Sequence, residues 1–246
     1  MPQVVTAGHV NWDVTLRVDR QPEPDGESRI SSQQSSGGGS AANVAVALSG
    51  LNVDTGLVGS VGDDENGLLA RRELDEAGVD LQSLLTVSDG QTAVKYLLVD
   101  EQGEVAVLGN DGANEAVTPD DVEPDYVRAA DHVHLTSQRP DTAAALAETA
   151  SAAGVRVSFD PGRRLADRDF SRALDAADIL FLNDREAESV LETEYPGSAF
   201  ADRVLVIKHG SEGAVVHAPD ATYEHPGFGV DPVDTTGAGD AFAAGF

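Results

Sequence analysis

Short apolar runs alternate with helix-length stretches along most of the chain, and this alternation predicts its architecture. Gln3 to His9 is a β-branched and apolar run that gives way to the polar Asn11-Trp12-Asp13, as a buried parallel strand gives way to a loop. Val14 to Ser36 is polar and carries Pro22, Pro24 and Gly26, with two candidate short strands in Thr15-Leu16-Arg17-Val18 and Arg29-Ile30-Ser31. Gly37-Gly38-Gly39 then opens a predicted helix whose Val44, Leu48 and Leu51 share one face. Val53 to Val61 reads as a strand and Glu65 to Ala77 as a helix closed by Gly78. Thr92 to Val99 and Glu104 to Leu108 alternate on either side of Asp100-Glu101-Gln102-Gly103, a hairpin signature. Beyond Thr118-Pro119 the pattern predicts a helix to Ala130, strand His132 to Thr136, helix Asp141 to Ala153 and strand Val155 to Phe159. Strand Ile179 to Leu182, helix Asp184 to Leu191, and strands Val204 to Ile207 and Ala214 to His217 complete it.

Strands separated by helices of ordinary length predict one α/β domain: a mainly parallel sheet with helices on both faces. The strands of 14–31 and the 92–108 hairpin form a small accessory sheet. Ligands of such folds bind at the carboxyl ends of the parallel strands. Asn11, Asp13, Asp160, Asn183, Lys208 and Asp240 all fall at or just past predicted strand ends.

The charge changes the picture of the ligand. Forty-three acidic residues against 16 basic ones give a formal charge of −27, spread over every predicted helix. A solvated acidic surface of this kind needs counter-ions, which predicts a halophile's cytoplasmic protein. No basic stripe exists to bind nucleic acid, no apolar run reaches membrane-spanning length, and the absence of cysteine excludes thiol and thiolate-metal chemistry. An anionic ligand must therefore be met by backbone amides and a few cations, and only two of the basic residues, Lys95 and Lys208, are lysines.

One stretch offers such amides. In Asp234-Thr235-Thr236-Gly237-Ala238-Gly239-Asp240-Ala241-Phe242, small residues feed a predicted helix whose N-terminus favours an anion. On spacing alone, Asp240 suits either a helix-capping carboxylate or a general base taking a proton from an attacking hydroxyl. No Gly-Lys pair occurs, so the phosphate-binding P-loop is excluded. Phe242 stands where a dinucleotide fingerprint needs its third glycine, which disfavours a nicotinamide-dependent oxidoreductase.

That stretch resembles the C-terminal signature of the ribokinase-like carbohydrate kinases, the PfkB family, and Gly38-Gly39-Ser40-Ala41-Ala42-Asn43-Val44-Ala45 resembles the N-terminal one. Between them Val61-Gly62-Asp63-Asp64-Glu65-Asn66-Gly67, Gly112-Ala113-Asn114, Asn183-Asp184-Arg185-Glu186 and Lys208-His209-Gly210-Ser211-Glu212-Gly213 resemble further family landmarks. The resemblance implies a three-layer ribokinase-like fold with a small β-sheet lid, formed here by residues 12–34 and 92–110 of a single 1–246 domain. It implies that Asp240 is the base and that Gly237, Ala238 and Gly239 make the anion hole for the terminal phosphates of ATP. Asn11, Asp13, Gly38, Gly39 and Asn43 match sugar-binding positions, although Asn43 equally suits a helix cap. Asn183 and Glu186 match an Asn-x-x-Glu that positions Mg²⁺, Glu186 acting through water. Lys208, Gly210, Gly213 and Arg164 match nucleotide-side positions, and Asp234 and Thr236 match a K⁺ site found in some relatives.

The expected activity is ATP-dependent phosphorylation of a small sugar at a primary hydroxyl, with a homodimer formed through the lids. A nucleoside kinase of the same fold is the alternative, with Trp12 as the aromatic beside the pocket, and a non-catalytic nucleotide-binding protein is a second one. Family members run on past the signature, so the chain is expected to lack the family's C-terminal end and to be short near 191–203.

Overall fold

The chain's first apolar run forms β1 (Val4–Ala7), and a break at Gly8 turns it into a second strand, β2 (Asn11–Val18). Asn11 and Asp13 thus lie within a strand rather than in the expected loop. The computed structural model describes residues 1–192, 202–230 and 235–246. The chain continues through β3 (Ile30–Gly38), α1 (Ser40–Gly50), β4 (Thr55–Gly62), α2 (Glu65–Glu76), β5 (Leu84–Val87), β6 (Ala93–Val99) and β7 (Val105–Gly109). It follows with α3 (Pro124–Arg128), β8 (His132–Leu135), α4 (Pro140–Ala152), β9 (Arg156–Phe159), α5 (Ser171–Ala176), β10 (Ile179–Asn183) and α6 (Asp184–Glu192). Last come β11 (Val204–Lys208), β12 (Ala214–His217), β13 (Thr222–His225) and α7 (Ala238–Gly245).

Among the described residues, nine strands form one sheet in the order β13-β12-β11-β10-β9-β8-β1-β4-β5. β5 and β8 to β11 run parallel to β1 and β4, and the β11-β12-β13 edge is antiparallel. All eight residues of β4 are buried, as a strand covered on both faces requires. Its successive residues point to opposite cores: Val58 packs with Tyr126, Leu146 and Phe159, whereas Leu57 and Val61 pack with Ala41, Ala45 and Leu74. Helices α3, α4 and α5 cover the first face and α1 and α2 the second, which makes the three layers. Leu51, expected on the inner face of α1, is exposed because the helix ends at Gly50 before its face can return to the core.

A separate four-stranded sheet, β3-β2-β6-β7, carries the hairpin. β2 runs antiparallel to β3 and parallel to β6, with Asn11 opposite Ala93 and Asp13 opposite Lys95. Because alternate residues of β2 face opposite ways, Asn11 and Asp13 share one face while Trp12 and Val14 are buried in the second core. Trp12 therefore does not sit beside the pocket.

Candidate active site

The two glycine-bearing signatures meet in space. Gly237 adopts a left-handed conformation (φ 73°) that a side chain would resist, and from it α7 turns inward so that Asp240 falls in its first turn. Phe242 and Phe246, further along α7, pack edge-on against Phe181 of β10, with ring centroids 6.4 and 5.3 Å away, and seat the helix on the sheet. Asn43 of α1 donates from Nδ2 to Asp240 Oδ2 at 2.7 Å across 197 positions of sequence. Asn43 is therefore a tertiary partner of the carboxylate, and the helix-cap reading of it falls away. Burial raises the Asp240 pKa above its ordinary value and nearby Asp160 adds to this, while the Asn43 hydrogen bond, Lys208 and Lys95 oppose it. A carboxylate raised in this way is a stronger base when ionised.

A cleft of about 600 Å³ opens in front of Asp240. On the small sheet it is lined by Asn11, Asp13 and Lys95, on the large sheet by Asp160, Asn183 and Lys208, and along the α7 turn by Thr236, Gly237 and Gly239. Asn11 is wholly buried; its Oδ1 accepts from Asn114 Nδ2 at 2.7 Å, but its Nδ2 has no partner among the described residues, and neither does the buried Oδ1 of Asp13. A buried donor and a buried acceptor without partners are costly unless a ligand satisfies them, and paired hydroxyls would. Gly38 gives Asp13 its room, since a Cβ there would stand 2.6 Å from Asp13 Cγ. Gly39 (φ 98°) packs on the backbone of His9, where a Cβ would lie 2.8 Å from the carbonyl carbon.

At the other end of the cleft, Lys208 at the end of β11 pairs with Asp160 at the end of β9 and lies beside Gly239. This puts a cation next to the N-terminus of α7, where both favour an anion. Asn183 and Glu186 bond reciprocally: Glu186 Oε2 accepts from Asn183 N at 2.9 Å and Asn183 Oδ1 from Glu186 N at 3.0 Å. The buried Glu186 has a raised pKa, chiefly from desolvation and opposed by the Asn183 backbone bond. A neighbouring recess is lined by Arg163, Arg185, Lys208 and Gly210.

The family described as pfkB family carbohydrate kinase matches residues 1–246. The chain belongs to that family. A 69% identical relative, named ATP-dependent ribose-1-phosphate kinase, comes from Halopiger xanaduensis; the match spans 248 residues, all of this chain and 84% of the relative. A nucleoside kinase of Methanothermobacter thermautotrophicus is 30% identical over 99% of this chain and 81% of its own length. Among solved structures, Arabidopsis thaliana ribokinase complexed with ribose and ATP superposes with a TM-score of 0.84 at 28% identity, over 99% of this chain and 84% of that one. The three layers and separate small sheet are thus the ribokinase-like fold. This pfkB kinase is an ATP-dependent phosphotransferase acting on an alcohol group.

Of the residues anticipated from sequence, Asn11, Asp13, Gly39, Asn43, Asn183, Glu186, Lys208, Gly237, Gly239 and Asp240 line one cleft in the pfkB kinase. Gly38 adjoins it through Asp13. Ala238 is the first residue of α7. Gly213 packs on the 225–227 backbone, away from the cleft. Arg164 lines the cleft with its guanidinium on Asp111 and Glu115 rather than in the recess beside Gly210. Asp234 and most of 191–203 lie outside the described residues.

Sequence reasoning missed Glu115, Asn110 and Lys95. Glu115, in a left-handed conformation (φ 64°), accepts from His9, Arg164 and Arg168, and the His9 and Arg168 bonds hold its carboxyl down at about 2. Asn110 Oδ1 accepts from Val94 N at 3.2 Å and braces the hairpin strand that carries Lys95. Lys95 had a signal that went unused: it is one of two lysines in the whole chain, and both line this cleft.

Proposed function

We propose that this pfkB kinase transfers the γ-phosphoryl group of ATP to the primary hydroxyl of ribose 1-phosphate, yielding ADP and a ribose bisphosphate. The observation that carries the chemistry is the half-buried Asp240, held by Asn43 at the mouth of an anion-favouring helix and sharing its cleft with two buried polar atoms that lack partners among the described residues. Asp240 takes the hydroxyl proton as the oxygen bonds to the γ-phosphorus and the bond from that phosphorus to the β–γ bridging oxygen breaks. The α7 turn and Lys208 offset the charge developing on the phosphoryl oxygens. Asn11, Asp13 and Asn43 hold the sugar hydroxyls. The small sheet acts as a lid that excludes water, limiting transfer to water in place of sugar.

The choice of substrate is supported by the 69% identity to a ribose-1-phosphate kinase over the full chain. The nucleoside alternative draws on the 30% identical relative, but among the described residues no Phe, Tyr or Trp lines the cleft, and a base would need such a wall.

Mg²⁺ belongs to the proposal. Among the described residues no group of three or more His, Cys, Asp or Glu is arranged to hold a metal, which fits an ion kept by phosphates, waters and one or two carboxylates. Glu186, steadied by Asn183, is the carboxylate placed to do so, and bound Mg²⁺ would neutralise phosphate charge. K⁺ at Asp234 and Thr236 is a further part, checked by replacing KCl with tetramethylammonium chloride at equal ionic strength.

Tyr96 and Leu108 pair across the hairpin and are exposed, as is Ile30 on β3. Such an apolar lid surface supports a homodimer, to be checked by light scattering in molar KCl. No helix among the described residues is long and apolar enough to cross a membrane.

The test is a product assay in molar KCl with ATP and, in turn, ribose 1-phosphate, ribose, other pentoses and hexoses, sugar acids and nucleosides. Highest kcat/KM on ribose 1-phosphate is the expected result. A nucleoside outperforming it would overturn the substrate assignment.

A further inference from the structure

We propose that Lys95 and Arg164 together bind the substrate's own phosphate, the one it already carries, at the end of the cleft away from ATP. The inference rests on the sugar-phosphate reading and deepens it. A chain of charge −27 whose cleft holds Asp13, Asp160, Glu186 and Asp240 repels an anionic sugar unless cations at the sugar end meet it. Lys208 is committed to Asp160 beside the α7 turn. Lys95 makes no ion pair or hydrogen bond among the described residues, although it lies near enough to Asp13 and Asp240 to oppose the rise that burial gives both their pKa values.

Its position is set by the lid's register. Lys95 on β6 stands opposite Asp13 on β2 and Gly109 on β7, so it shares the cleft face with the proposed hydroxyl acceptor, one strand spacing away.

Arg164 reaches the same turn from the opposite wall. Its Nη2 donates at 2.6 Å to Asp111, two residues beyond Gly109, and its Nη1 donates at 2.9 Å to Glu115. The Glu115 arm is the sheltered one; Asp111 is exposed, so a phosphate with two negative charges can take its place on the other arm without freeing the guanidinium. A phosphate held at once by Lys95 of the lid and Arg164 of the large-sheet side would also draw the lid down, making closure depend on the substrate's charge.

The test compares wild type, Lys95→Gln, Lys95→Arg and Arg164→Gln on ribose 1-phosphate and on uncharged ribose, with thermal midpoints as a folding control. Lys95→Gln should raise KM for ribose 1-phosphate by about 10- to 100-fold, the range for losing a charged hydrogen-bonding partner. It should change KM for ribose by far less, and Lys95→Arg should recover most of the loss. Arg164→Gln should act in the same direction. If wild type prefers ribose 1-phosphate but Lys95→Gln keeps its KM, or raises both KM values equally, the phosphate seat is wrong while the substrate assignment stands. If wild type prefers ribose, both fall.

Discussion

Gly38→Ala isolates the fit between the N-terminal signature and the sugar acceptor. Gly38 has no positive φ, so alanine suits its backbone, and the cost falls on the neighbour. The new methyl would lie 2.6 Å from Asp13 Cγ, whereas non-bonded carbons settle at about 3.5–4.0 Å, so the carboxylate must move by about 1 Å. A hydrogen bond from a sugar hydroxyl to a charged acceptor contributes about 1.5–3 kcal/mol, so its loss should lower kcat/KM by about 10- to 100-fold. Steady-state kinetics on the best sugar substrate would show this, while ATP affinity and the thermal midpoint stay close to wild type. The double variant Gly38→Ala/Asp13→Ala should be no worse than Asp13→Ala alone, because both act on one group. Unchanged kcat/KM in Gly38→Ala, or additive losses in the double variant, would refute the role given to Asp13.

Three further outcomes follow from the site. Asn43→Ala removes the bond that opposes burial at Asp240, so its pKa should rise further and the acid limb of the kcat–pH profile should move to higher pH. Glu115→Gln removes a carboxylate held near 2 by His9 and Arg168, and should cost about 2 kcal/mol, seen as a Tm about 4–8 °C lower. Because that pKa is depressed, the stabilisation is present above the ordinary value of 4.5 and fades as pH falls toward 2, so the two proteins' midpoints should converge in acid. Glu186→Gln keeps an oxygen for the Asn183 amide but loses the charge; the Mg²⁺ concentration for half-maximal rate should rise by about tenfold or more in a metal titration.

Much of this molecule was legible before any coordinates. Long apolar runs such as Val53–Val61 and helices such as Asp141–Ala153 have periods that one interpretation explains, and they appear as β4 and α4. β5, α5 and β13 were missed; β13 is exposed along its whole length and so carries no apolar run to read. The error over Asn11 and Asp13 has another origin: polar residues after an apolar run look like a loop unless the break between strands at Gly8 is visible. The glycines and carboxylates of the site could be named from their motifs, but nothing local in the sequence brings Asn43 to Asp240, nor turns Trp12 away from the cleft. Glu115 was hidden more deeply, since its role depends on three partners from distant segments.

The central claim is that Asp240 deprotonates the attacking hydroxyl, and Asp240→Asn tests it most directly. Asparagine keeps the shape and can still bond to Asn43 after its amide turns, but it cannot accept the proton. With sugar and ATP saturating in molar KCl, kcat should fall by about 10²- to 10⁴-fold, and the loss should persist at every pH while ATP affinity holds. Wild-type turnover in Asp240→Asn, or a loss explained wholly by weakened ATP binding, would contradict the account.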